Sequence, residues 1–185
     1  MTDLISKKVV LIGLDNAGKT TILKTMRKEQ RNSAVYDLKP TKGVNIEEFK
    51  TIEAFSTNET SVIVWDFGGQ IQYRMSYLQE AEKYFVEVDK VIYVFDIQDK
   101  KRFDESFSYL EEILKLIKGF NKDEEKIDVM VFLHKLDPPL VNESEYRERS
   151  NYLREKIKEV FKPYKYKLMI FETSVYTVFQ KIEVI

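Results

Sequence analysis

The sequence predicts an α/β fold built on a mostly parallel sheet, and three observations carry that prediction. Five short apolar runs recur along the chain, each run is continuous rather than alternating, and helical patterns lie between them. Strands covered by helices on both faces have this pattern, because every side chain along the strand faces a core. Strands alternating with helices imply right-handed βαβ crossovers.

Taken in order, the runs are VVLI (9–12), VIVW (62–65), VIYVF (91–95), VMVFL (129–133) and LMIF (168–171). Each is β-branched or aromatic and ends in polar or turn residues. Segment 44–55, VNIEEFKTIEAF, predicts a sixth strand, antiparallel to VIVW across the polar turn STNET (56–60). Phe103, Phe107, Leu110, Leu114 and Ile117 keep helical spacing along one face, as do Tyr146, Ser150, Leu153, Ile157 and Val160. Asn142 followed by Glu145 predicts a variant capping box at the start of the second of these helices. A short helix is expected from about residue 176.

With 185 residues, the chain is read as one domain spanning 1–185. A net charge of −1 gives no general attraction to nucleic acid, which is not expected as a partner. The chain has no cysteine, which excludes disulfides, thiol catalysis, thiolate metal sites, prenylation and palmitoylation. The N-terminal MTDLISKK lacks a signal-peptide core, and Thr2 stands where N-myristoylation needs glycine. A cytoplasmic protein without a lipid anchor is expected, reaching membranes only as a peripheral protein recruited through partners.

The stretch Gly13-Leu14-Asp15-Asn16-Ala17-Gly18-Lys19-Thr20 fits G-x-x-x-x-G-K-[ST], with a strand before it and a helix after it. Backbone N–H groups near a helix N-terminus bind phosphate without long side chains. Lys19 is placed for the β- and γ-phosphates and the Thr20 hydroxyl for Mg²⁺. Five of the six glycines, Gly13, Gly18, Gly43, Gly68 and Gly69, fall in this and two further segments. One is VIVWDFGGQ, where Asp66 at a strand end is placed to hold Mg²⁺ through water. There Gly69 permits a close backbone approach to a γ-phosphate, and Gln70 follows where an attacking water is oriented. Alone, Asp-x-Gly-Gly is equally a strand-end turn. The other segment is Pro40-Thr41-Lys42-Gly43, where Thr41 reads either as a second Mg²⁺ hydroxyl or as an ordinary turn threonine.

The segments GLDNAGKTTIL, PTKGVNIEEF and WDFGGQ resemble the Arf branch of the Ras-like small GTPases. From VIYVFD onward, HKLD and ETSVY are more similar to the Rag GTPases. The resemblance implies a P-loop NTPase fold of small-GTPase type, a six-stranded sheet with helices on both faces. It also implies that the loop backbone at Asp15, Asn16, Ala17, Gly18, Lys19 and Thr20, with Thr21, binds the phosphates. Thr20 and Thr41 are implied as Mg²⁺ ligands, Gly69 as the γ-phosphate sensor and Gln70 as the catalytic residue orienting water. The implied activity is slow hydrolysis of GTP to GDP in a switch that engages protein effectors and GTPase regulators.

Base identity turns on His134-Lys135-Leu136-Asp137, at the end of a predicted strand. Guanine presents a ring N–H and an exocyclic amine side by side, and one carboxylate, Asp137, accepts both. The Lys135 stem covers a base face. His134, the only histidine, stands where small GTPases have Asn and Rag-like proteins resemble it; it is expected to brace the loop. In Glu172-Thr173-Ser174-Val175, the resemblance puts a backbone N–H, that of Val175 beside Ser174, on the guanine carbonyl.

No arginine is evidently placed as a finger, and Arg74, the nearest candidate, is expected to be solvated. A non-cycling scaffold that holds GTP as a structural ligand is the second reading, against which Gln70 argues. A small-molecule phosphotransferase is the third, and it lacks an acceptor pocket and a lid. The resemblance also places Trp65 with Val44 and Tyr84 in an exposed partner-binding cluster. The alternative is that Trp65 belongs to the core.

Overall fold

The computed structural model describes residues 6–26, 39–52 and 59–176. Every apolar run forms a strand: β1 (Ser6–Gly13), β3 (Glu59–Phe67), β4 (Lys90–Asp96), β5 (Asp128–His134) and β6 (Lys167–Thr173), with β2 (Val44–Ile52) as the additional one. They make one six-stranded sheet in the order β2-β3-β1-β4-β5-β6. All neighbours are parallel except β2 and β3, which pair antiparallel with Val44 opposite Phe67 and Ile46 opposite Trp65.

Helices cover both faces. Val10, Ile12, Phe67, Tyr93 and Val131 turn to one side, where they meet buried side chains of α2 (Ile71–Gln79), α3 (Ala81–Phe85), α4 (Phe103–Phe120) and α5 (Ser144–Phe161). Val9, Leu11, Val64 and Val94 turn to the other side, against Ile22 and Leu23 of α1 (Lys19–Met26). Two-sided burial is the reason β1 needs an unbroken apolar run: Val10, Leu11 and Ile12 have no exposed surface. The expected face of α4 is buried throughout. On α5, Ser150, Leu153 and Ile157 are buried, and the Ser150 hydroxyl donates to the Glu172 carboxylate on β6.

The local departures have physical reasons. Glu59 and Thr60 extend β3 instead of closing a turn, because the ladder continues through Thr51–Thr60 and Ile52–Glu59. Residues 53–58 lie outside the described residues, as does 177–185, on which the expected C-terminal helix falls. The capping box at Asn142 does not form. The N-cap of α5 is Glu143, with no side-chain cap bond, and the Asn142 amide oxygen accepts from Arg147 Nη2 at 3.3 Å. Among the described residues no helix is long and apolar enough to cross a membrane.

Candidate nucleotide-binding site

The turns leaving the carboxyl ends of β1, β3 and β5 meet on one edge of the sheet, where open α/β sheets place their ligands. Between β1 and α1 the chain turns through Asn16 at φ +60° and Gly18 at φ +93°. Gly18 is required twice, by that backbone angle and because a Cβ there would lie 2.6 Å from His134 Cδ2. Ala17 is buried beneath the turn. Lys19 is also buried, and its Nζ donates to the Gly13 and Leu14 carbonyls at 3.0 and 2.7 Å. Burial pushes its ammonium down to about 8, so it stays mostly charged at neutral pH at a desolvation cost that an anion in the cleft would offset. Asp15, Asn16, Gly18, Lys19, Thr20 and Thr21 line a cleft of about 240 Å³.

Thr41, Gly69, Gln70 and Lys135 close the cleft. The Thr20 hydroxyl lies 2.8 Å from that of Thr41 and 2.7 Å from Asp66 Oδ2; Thr41 Oγ1 reaches the same carboxylate oxygen at 3.3 Å. Asp66 has no exposed surface, its carboxyl is pushed up by burial, and its Oδ1 has no hydrogen-bond partner among the described residues. The loops at 41 and 68 are tied directly: the Gly43 carbonyl accepts from the Gly68 N–H at 2.9 Å and from the Tyr77 hydroxyl at 2.7 Å. A Cβ on Gly69 would lie 2.0 Å from the Asp15 nitrogen, so only glycine lets this loop rest on the phosphate loop. Gln70 caps α2 from an extended backbone, and its side-chain oxygen accepts from Gln72 Nε2 at 3.2 Å.

The loop after β5 is braced by His134. Buried His134 sits against Gly18 and shares a 2.9 Å hydrogen bond from Nδ1 to the Thr173 hydroxyl. Asp137 accepts from the Ser174 hydroxyl on one oxygen and from Gln98 Nε2 at 3.5 Å on the other. Val175 follows, half-buried, beyond the end of β6. Lys135 adopts φ +66°, and its ammonium is held by Asp96 Oδ2 at 2.6 Å, which fixes the stem over the cleft. Asp96, Gln98 and Thr173 are partners that sequence reasoning missed. Only Asp96, a carboxylate closing an apolar run as Asp66 does, carries a local signal.

Burial, reinforced by the Lys135 charge, lowers the pKa of His134 below its ordinary value. The unfolded chain therefore takes up this proton first, near pH 6.5, and stability is lost as the pH falls below that value. Between pH 7.5 and 5.5 the thermal midpoint of the native protein is expected to fall further than that of His134→Asn. Equal losses would show that His134 carries no such penalty.

Arg74 is not solvated. It is buried, donates to the Glu105 carboxylate and lies 5.1 Å over the Tyr109 ring. Glu105 also accepts from Arg102 Nε at 2.8 Å, and Arg102 Nη2 donates to Asp15 Oδ1 at 2.8 Å. The i,i+3 spacing of Arg102 and Glu105 marks one link of this chain of ion pairs; no spacing marks the links to Asp15 and Arg74.

Trp65 is half-buried, as are Val44 and Tyr84. The Trp65 and Tyr84 rings meet edge to face at 6.3 Å, and Lys8 Nζ lies 4.6 Å over the indole. Val62 and Val64 take the opposite face of β3, as strand alternation requires. Ile46, in register with Trp65, is 52% exposed, and Ile71 and Met75 of α2 are 66% and 54% exposed.

Residues 3–182 match the ADP-ribosylation factor family. ADP-ribosylation factor-like protein 3 of Caenorhabditis elegans is 40% identical over 133 residues, 70% of this chain and 61% of the relative. Its counterpart from Chlamydomonas reinhardtii is 35% identical over 133 residues, 70% of this chain and 63% of the relative. The matched part thus spans under two thirds of either relative. The fold is that of the Arl6 BBS3 small GTPase of Trypanosoma brucei, solved with the bound nucleotide analogue GppNp. The two agree with a TM-score of 0.66 at 24% identity, covering 91% of this chain and 87% of that one.

Proposed function

Because the chain belongs to the ADP-ribosylation factor family of small GTPases, we propose that it is a GTP/GDP switch that hydrolyses GTP slowly and recruits partners in its GTP state. The observation that carries this reading is the convergence of Thr20, Thr41 and Asp66 from three separate segments onto one partly buried point. Three oxygens, one of them on a carboxylate whose second oxygen is buried and without a partner among the described residues, fit a hard cation such as Mg²⁺. Thr20, Thr41 and, through water, Asp66 would hold it, and it would neutralise charge on the phosphates. Lys19 and the N–H groups from Asp15 to Thr21 bind the phosphates, while Gly69 and Thr41 respond to the third one. Its loss on hydrolysis releases both loops.

Gln70 faces the cleft and orients the attacking water. Arg74 and Arg102 are both committed to Glu105, which supports slow intrinsic turnover and acceleration by a regulator that brings its own arginine. Asp137 selects guanine, with Ser174 and Val175 beside it. We confine the Rag-like character to this base-binding half, where His134 packs on the phosphate loop. The half-buried Val44, Trp65 and Tyr84, continuous with exposed Ile46, support an effector surface whose shape follows the nucleotide.

The test is Trp65 fluorescence with GDP and with a non-hydrolysable GTP analogue, alongside partner capture by Trp65→Ala. The emission is expected to change between nucleotides, and the variant to fold but lose GTP-dependent capture. Identical emission in both states, with a severely destabilised variant, would make Trp65 a core residue and move the partner site elsewhere.

A further inference from the structure

Asp15 is the only carboxylate in the phosphate loop, and a negative charge beside a triphosphate opposes its binding. Its backbone lies against Gly69, and it shares a surface cavity with Gln70, Arg74, Arg102 and Glu105. It therefore lies at the end of the cleft where the loop proposed to sense the third phosphate closes. Arg102, at the start of α4, donates from Nη2 to Asp15 Oδ1 at 2.8 Å. The same guanidinium grips Glu105 through Nε at 2.8 Å and Nη2 at 3.2 Å, and Glu105 takes Arg74 from the first turn of α2. The Arg102 bond, with the Arg74 contact behind it, holds the Glu105 carboxyl down to about 2, so the bridge stays charged even below the ordinary glutamate value.

We propose that Arg102 is a specificity-determining residue that sets the preference for GTP over GDP by neutralising Asp15 at the third-phosphate end of the cleft. The inference rests on the guanine-nucleotide reading above. Without Arg102, the free carboxylate repels the γ-phosphate more than the other two, which lie farther from it and are compensated by the loop N–H groups and Lys19. Arg102 also joins the phosphate loop to α2 through Glu105 and Arg74, so the charge is held in one position rather than by a mobile side chain.

The experiment is equilibrium titration with fluorescent GDP and a fluorescent non-hydrolysable GTP analogue, each with Mg²⁺. It compares the unmutated protein with Arg102→Ala, Arg102→Lys, Asp15→Asn and the double variant Asp15→Asn/Arg102→Ala. Arg102→Ala is expected to reduce the GTP-over-GDP preference about tenfold at low salt, and less at about 0.3 M, where the partly exposed charges are screened. Arg102→Lys should recover most of the preference. The double variant should return to within about twofold of the unmutated ratio, since no carboxylate remains to be neutralised. An unchanged ratio in Arg102→Ala, or a double variant no better than that single one, would reduce Arg102 to a brace of α4 and overturn the proposal. If Arg102→Ala does not fold, Asp15→Asn decides: a shift toward GTP supports the proposal and a shift toward GDP overturns it. Failure of the unmutated protein to bind either probe would instead defeat the guanine-nucleotide reading itself.

Discussion

Asp137→Asn is expected to weaken GTP binding by about 3 kcal/mol, on the order of a hundredfold, and to improve binding of xanthosine triphosphate. The Asp137 carboxylate offers two acceptors, and its neighbours Ser174 and Gln98 occupy one each. Guanine supplies the same arrangement of two adjacent donors. An asparagine keeps one acceptor but turns an amide N–H toward the exocyclic amine, so two donors face each other. Xanthine has a carbonyl at that position and accepts the amide. Competition binding with the four triphosphates of guanine, adenine, xanthine and hypoxanthine checks this. No change in the order of affinities would remove Asp137 from the base site.

Gln70→Leu is expected to lower single-turnover GTP hydrolysis at least about tenfold while GTP affinity stays within about twofold. Gln70 lines the cleft from the first position before α2, and its side chain contacts only Gln72 among the hydrogen bonds seen there. A group that orients water acts in the transition state and adds little to ground-state binding. Equal losses in affinity and rate would make Gln70 a binding residue. Hydrolysis at the unmutated rate would favour a GTP-holding scaffold that does not cycle.

The parts of this site visible in the sequence are those fixed by short-range geometry. Gly13 to Thr20 are legible because an apolar run precedes them and a helical pattern follows, and Asp66 must face a cation or donors once it ends a buried strand. The strands were visible for a similar reason, since two-sided burial leaves a continuous apolar run. Pairings between side chains far apart in sequence leave no such trace, even where one member, Asp96, closes an apolar run. Arg102 reaches Asp15 across 87 positions, and Lys135 reaches Asp96 across 39. Arg74 has the ordinary sequence context of a helix-surface arginine, yet Glu105 and the Tyr109 ring draw it under cover. The cap expected at Asn142 is absent because α5 starts at Ser144, which puts Glu143 rather than Asn142 at the cap position; the Asn142 amide oxygen accepts from Arg147. His134 is an intermediate case: its role as a brace was readable, whereas its contact with Gly18 needed both loops in place.

The most direct measurement equilibrates the purified protein with excess Mg²⁺ and an equimolar mixture of GTP and ATP, removes free nucleotide, and chromatographs what denaturation releases. About one guanine nucleotide per chain, partly converted to GDP with time, is the predicted result. Release of adenine nucleotide, or of none, would contradict the assignment of this cleft to GTP.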